Sequence, residues 1–247
     1  MSEGAPRVAL ITGGARGIGR QVALDLAGRG WAVALCARTS REAGEVTRGD
    51  VERRGAPALF TLADVSRPEE CERLVRAVRD WRGRIDALVH CAGPYHRLDL
   101  FEETPEGWRE MFAHNLDSLF FMARAVAPLM IEAGRGRMVA FSMANADRVL
   151  AQPMVTAHYL AKVGVLGLVR TLARSLARHA ITVNAVSPGF IDSGSMPEEE
   201  LKQMARNVPA GYIGSCADVS AAVLYLLSEE ARYVNGANIQ VSGGWGL

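Results

Sequence analysis

What the chain has little of narrows it first. Four cysteines in 247 residues, Cys36, Cys71, Cys91 and Cys216, form no CxxC pair and no metal-ligand spacing. Neither a disulfide framework nor a metal cluster is therefore expected to hold the fold. The neighbours of Cys36 and Cys91 are apolar, so the thiols are read as buried and free in a reducing cytoplasm. Charge of one sign is also lacking: 28 Lys and Arg stand against 27 Asp and Glu, a formal net charge of +1. Bulk electrostatics thus supplies no nucleic-acid or membrane partner. No apolar run approaches the roughly 20 residues of a membrane span. Met1 to Arg7 carries no signal-peptide pattern. Repeats, linkers and low-complexity segments are missing too, and residues 1–247 read as one domain.

What is present starts at Thr12-Gly13-Gly14-Ala15-Arg16-Gly17-Ile18-Gly19. An apolar run, Val8 to Ile11, precedes it, and the spacing from Gln21 to Ala27 reads as a helix. A buried strand, a glycine-rich turn and a helix N-terminus make a dinucleotide site: glycines admit the pyrophosphate to the backbone, and helix N–H groups face it. The plainer alternative is an ordinary strand-to-helix turn. Further strands are expected at 33–36, 58–62, 85–90, 137–141, 181–186 and 238–241. Helices are expected near 40–54, 68–81, 105–114, 116–133, 155–179, 197–207 and 217–228. Continuous apolar strands separated by helices predict an α/β fold, a doubly wound parallel sheet of Rossmann type.

Ligands of such sheets sit beyond the strand carboxyl ends. After the second strand comes Ala37-Arg38-Thr39, with no acid to bind a ribose 2′-OH before Glu42. Arg38, with Arg16 from the glycine turn, suits a 2′-phosphate by charge and bidentate geometry, so NADP(H) is favoured over NAD(H). Both arginines could instead be solvated. Asp64, with Val65 beside it, ends the third strand and could accept from the adenine amine; alternatively Asp64 or Ser66 caps the next helix. Cys91-Ala92-Gly93 would lay small residues beside the cofactor, and Pro188-Gly189-Phe190-Ile191 would wrap its nicotinamide end.

The glycine turn, Asp64, Cys91-Ala92-Gly93, Asn115, Lys162, Pro188-Gly189 and the segment from Tyr233 to Gly244 together resemble the short-chain dehydrogenase/reductase family over nearly the whole chain, in particular its 3-oxoacyl-[acyl-carrier-protein] reductase group. The resemblance implies hydride transfer between a nicotinamide and a carbonyl or alcohol, Ser193 at the cofactor, and a homotetramer (or dimer). It also implies a Ser that orients the carbonyl, a Tyr that moves the proton, a Lys that lowers the Tyr pKa and holds the ribose, and an Asn behind them.

Here the pattern departs. Four residues before Lys162 stands His158, not Tyr, and Tyr159 is only three before. That displaces Tyr159 by roughly 100° around the helix. The Ser column falls on Met143, and Ser142 points to the opposite side of an extended chain. The stretch from Met143 to His158 is longer than in the family, so Ser142 or Asn145 could still reach the substrate. His158 could replace Tyr as acid/base, or merely line a pocket that no longer turns over, since Lys162 and an oxidised nicotinamide would lower its pKa. Tyr159 as a relocated acid is a third option. His90, His114 and His179 read as satisfied or exposed. Residues 190–213 would form a lid, and Tyr95, Met143, Phe190, Met196 and Tyr212 an apolar pocket for a small-molecule or acyl carbonyl. Two functions therefore stand: an NADP(H)-dependent oxidoreductase with an altered proton-transfer group, or a cofactor-binding protein without turnover that acts as a sensor or structural partner.

Overall fold

The computed structural model describes residues 5–194 and 198–246. An apolar run such as Val8–Thr12 has no face suited to water. It forms β1, with all five residues buried. The same logic makes β2 (Ala32–Ala37), β3 (Ala58–Leu62), β4 (Ala87–His90), β5 (Gly136–Phe141) and β6 (Ile181–Pro188). Short β7 (Ile191–Asp192) and β8 (Gly214–Ser215), which sequence patterning missed, pair with each other, and β9 (Asn238–Val241) follows. The main sheet has the order β3-β2-β1-β4-β5-β6-β9, parallel throughout.

Alternate residues of each strand feed two core layers. Val8 and Leu10 pack with Leu74 of α3 (Pro68–Arg82), Met122 of α5 (Ser118–Ala133) and Val165 of α6 (Thr156–Leu176). Ala9 and Ile11 pack on the other face with Val22 of α1 (Gly17–Ala27), Val51 of α2 (Arg41–Arg53) and Val223 of α8 (Cys216–Leu227). Each large apolar side chain so buried contributes about 1.5–3 kcal/mol. Strand order reverses between β1 and β4, so the crevice outside their carboxyl ends is where a ligand fits.

Several expectations are corrected. Neither Asp64 nor Ser66 caps α3: its N-cap is Arg67, without a side-chain bond, and Asp64 Oδ1 instead accepts from the Ser66 N–H and hydroxyl at 3.1 and 2.7 Å. Cys36 and Cys71 are buried free thiols, but Cys91 and Cys216 are partly exposed. The helices expected at 105–114 and 116–133 are one run: α4 (Pro105–Phe112), a π-helical turn at Ala113–Asp117, then α5. Asn115 accounts for the turn, because its Nδ2 donates to the Met111 carbonyl four residues back at 3.0 Å and competes with the main-chain ladder. The helix expected to reach residue 179 ends at Leu176 and tightens into a 3-10 turn, Ala177–His179. Within the expected lid, β7 and β8 tie the two ends together around α7 (Glu198–Ala205), while Met196 and Pro197 lie outside the described residues.

Candidate active site

The glycine turn is shaped by backbone contact. Gly13 has φ +66°, and a Cβ there would stand 3.0 Å from the Ala92 nitrogen and the Cys91 carbonyl. A Cβ on Gly19 would run into the Gly13 carbonyl oxygen. The Thr47 hydroxyl donates to the Ala15 carbonyl at 3.0 Å and fixes the turn from α2. Arg16 is the N-cap of α1 and makes no side-chain cap, so its own side chain leaves the first N–H groups of the helix unoccupied.

Beside this turn a cleft of about 240 Å³ brings together Gly13, Ala15, Arg16, Arg38, Asp64, Val65, Ala92 and Gly93, joined by Pro94 and His114. Larger hollows of about 700 and 600 Å³ open at Asp25–Ala221 and around Arg7 and Arg135. They lie away from the strand carboxyl ends, so volume does not mark the site here. Cys91 does not line the cleft, and burial pushes its thiol up. Pro188, Gly189, Ile191 and Ser193 do not line it. Gly189 is tied to Val241 by its N–H at 2.9 Å, and a Gly17 Cβ would sit 3.6 Å from the Ser193 Cβ. Burial works against the Asp64 carboxylate. The Ser66 hydrogen bonds, with the Arg38 charge, still hold it below the usual carboxylate range.

At the other end Lys162 is buried and its Nζ donates to the Phe141 carbonyl at 2.9 Å. Burial pushes this ammonium down to about 8. Gly93 has φ +153°, and a Cβ there would collide with Asn115 Oδ1 and lie 3.4 Å from Lys162 Nζ. Asn115 and Lys162 thus meet over Gly93. Asn115 Oδ1 is buried and has no partner within the described residues, whereas its Nδ2 also donates to the Pro94 carbonyl at 3.1 Å.

His158 is 7% exposed and bonds the same Pro94 carbonyl through Nδ1 at 3.2 Å. A carbonyl only accepts, so Nδ1 carries the hydrogen and Nε2 is the acceptor. Burial, then the Lys162 charge, push the imidazole down to about 3. His158 is therefore neutral near pH 7. The Tyr95 ring packs edge-on against it, centroids 5.1 Å apart.

The remaining candidates face elsewhere. The Ser142 hydroxyl donates to the Lys162 main-chain carbonyl at 2.8 Å, as the alternation of an extended chain requires. The Tyr159 phenol donates to the Asn145 carbonyl at 3.1 Å and accepts from the Leu150 N–H at 2.8 Å. Only 2% exposed, Tyr159 is a core side chain that ties down the 145–150 loop, a correction to its reading as a relocated acid. Asn145 has φ +62° and a buried Oδ1 without a partner among the described residues, under Gly246. Of the expected pocket, Met143 packs on the core, Phe190 lies tilted against Trp245 with centroids 4.6 Å apart, and Tyr95 and Tyr212 are both 62% exposed.

Two histidines set aside from sequence belong to this region. Buried His90 bonds the Thr12 hydroxyl through Nδ1 and the Ser118 hydroxyl through Nε2, each at 3.0 Å. Burial pushes it down to about 3. His114 bonds Arg38 inside the cleft. No local pattern announces either; both depend on strands and helices far apart in sequence.

The residues present fit a nicotinamide dinucleotide: the Gly13 backbone cradle would be filled by any Cβ, two arginines stand at one end, and an unpartnered buried amide oxygen and an ammonium at the other. The model of a family described as enoyl-(acyl carrier protein) reductase matches residues 13–246. The chain is 32% identical to 3-oxoacyl-[acyl-carrier-protein] reductase FabG of Staphylococcus epidermidis, over 96% of this chain and 97% of that protein. It is 34% identical to (3R)-3-hydroxyacyl-CoA dehydrogenase of Rattus norvegicus, over 96% and 95%. Among solved structures it superposes on a Phe-to-Trp variant of actinorhodin polyketide ketoreductase with NADPH, with a TM-score of 0.91, 30% identity, and coverage of 100% of this chain and 99% of that one. With sheet order, glycine turn and full-length likeness in agreement, the chain belongs to the short-chain dehydrogenase/reductase family of oxidoreductases.

Proposed function

We propose that this protein is an NADP(H)-dependent oxidoreductase that moves hydride between the nicotinamide and a carbonyl or alcohol carbon, with a His158–Lys162 pair in place of the phenol. The observation that carries the reading is Lys162 Nζ beside Gly93, at the end of the same cleft that holds Arg16 and Arg38. The activities named for the bacterial and rat relatives support a 3-oxoacyl and 3-hydroxyacyl pair as substrate and product.

The glycine turn and the α1 N-terminus would bind the pyrophosphate, Arg16 and Arg38 the 2′-phosphate, Asp64 and Val65 the adenine, and Lys162 the nicotinamide ribose. The bound nicotinamide supplies or takes up the hydride. Lys162 then holds the proton. As an ammonium it donates to the oxygen of a carbonyl being reduced, and as an amine it accepts from an alcohol being oxidised. His158, fixed by Pro94 with Nε2 as acceptor, orients the substrate hydroxyl. Asn115 flanks Gly93 opposite Lys162, and its Oδ1, without a partner among the described residues, would accept from a water or ligand hydroxyl there. Phe120, Ile131 and Leu160 stand exposed on α5 and α6, which supports burial between copies in a homotetramer (or dimer). Four free thiols support a cytoplasmic location.

A second reading, cofactor binding without turnover, is favoured by one observation: Met143 offers no hydroxyl, and the Ser142 hydroxyl is spent on the Lys162 carbonyl. One experiment separates the two. Oxidation of NADPH is followed against a panel of carbonyls, 3-oxoacyl thioesters included, across pH. Turnover that falls as pH rises through about 8 supports the enzyme. Tight NADPH binding with no turnover at any pH supports the rival.

A further inference from the structure

The adenosine end of the cleft contains a histidine for which the family motif has no use. The His114 main-chain carbonyl accepts from the Ser118 hydroxyl at 2.8 Å, and Ser118 is bonded in turn to buried His90. The backbone under His114 is thereby tied to β4 and, through Thr12, to β1. Its side chain lines the cleft among three charged groups. Nδ1 lies 3.7 Å from Asp64 Oδ1, Nε2 lies 3.6 Å from Glu110 Oε1, and Nε2 is bonded to Arg38 Nη1. Glu110 Oε1 also reaches Arg38 Nη1 at 3.4 Å.

A guanidinium has five N–H donors and no acceptor. Arg38 therefore donates, His114 Nε2 accepts, and the hydrogen of a neutral imidazole sits on Nδ1, toward Asp64. A neutral acceptor orients Arg38 without cancelling its charge and leaves the other donors for a ligand. Glu110 acts in the opposite sense, since a carboxylate competes with a phosphate for the same guanidinium.

We propose that His114 is a positioning residue for the cofactor 2′-phosphate, holding Arg38 at the adenosine end of the cleft, and that Glu110 competes with that phosphate for Arg38. This rests on the NADP(H) reading above. Without the imidazole acceptor, Arg38 is left to Glu110 and the cleft loses discrimination for the phosphate rather than for the rest of the dinucleotide.

The test is a fluorescence titration of NADPH and NADH on the full chain, with 2′,5′-ADP and 5′-AMP as competitors that isolate the phosphate. His114→Phe is expected to weaken NADPH and 2′,5′-ADP about three- to tenfold, the size of one hydrogen bond, and to leave NADH and 5′-AMP within about twofold. Retained NADH binding shows that the variant is folded. His114→Gln returns a side-chain acceptor and recovers most of the loss. Glu110→Gln, a change at an exposed residue, tightens NADPH about twofold or more. An unchanged NADPH-to-NADH ratio in His114→Phe, or an equal loss for both cofactors, overturns the assignment while the NADP(H) reading stands. A wild type with no preference for NADPH overturns both.

Discussion

The two ends of the cleft use their polar atoms differently. At the Arg38 end side chains hold side chains: His114 and Glu110 bond Arg38, and Asp64 lies beside His114, with guanidinium donors left over for an external anion. At the Lys162 end side chains hold main chain. His158 goes to Pro94, Lys162 to Phe141, Ser142 to Lys162 and Tyr159 to Asn145. The first arrangement is open and charged, and its function follows from charge. The second is buried and largely self-satisfied, so its chemistry follows from which groups burial leaves protonated.

The largest expected effect breaks the second region. Lys162→Met is expected to reduce turnover by about 10²–10⁴-fold if its ammonium holds the proton. In the wild type, carbonyl reduction is flat around pH 7 and falls as pH rises through about 8, because the donor form is lost there. No inflection is expected near 6.5, since His158 titrates at about 3. Steady-state rates from pH 5 to 10 check both points. A bell centred on an ordinary histidine pKa would return the proton to His158.

The next effect sharpens the first region. Arg38→Ala is expected to weaken NADPH about 10- to 100-fold, the range of a hydrogen bond to a charged group, with NADH nearly unchanged. Calorimetric titration with both cofactors measures this, and equal losses would mean that Arg38 reads no phosphate.

A third effect joins the regions through stability. His90 and His158 are both pushed down to about 3 from an unfolded value near 6.5. Below 6.5 the unfolded chain binds more protons than the folded one. The stability these residues contribute is therefore complete above about 6.5 and is lost as pH falls toward about 3. At pH 5 each accounts for about 2 kcal/mol. Urea midpoints at pH 7.5, 6 and 5 follow the loss, and His90→Asn should flatten it.

The smallest effect is Tyr159→Phe, expected to cost about 1 kcal/mol of stability through the lost loop hydrogen bonds, with rate and pH profile unchanged. Full activity in His158→Ala together with loss in Tyr159→Phe would reinstate the relocated tyrosine.

Much of the fold was legible because its signals are local. Unbroken apolar runs such as Val8–Ile11 mark strands buried on both faces. The glycine turn between strand and helix marks the switch point of the sheet, where strand order reverses between β1 and β4. The departure at His158 was also visible, as a matter of spacing from Lys162, and that at Met143 from counting along the fifth strand. Their consequences were not, because a hydrogen-bond partner is chosen by folding. The Pro94 carbonyl, 64 residues from His158, sets the tautomer of that imidazole. The π-helical turn at Ala113–Asp117 carries His114 to Arg38 and Asn115 to Gly93.

The sequence by itself determined the alternating strands and helices, the parallel sheet and the glycine turn at its switch point, since periodicity and turn chemistry act over a few neighbouring residues. Only the tertiary structure decided that Tyr159 belongs to the core, that His158 is neutral, and that Lys162 titrates near 8. Burial and long-range hydrogen bonds belong to the packed chain, and the free energy of a proton depends on them more than on the identity of the residue that carries it.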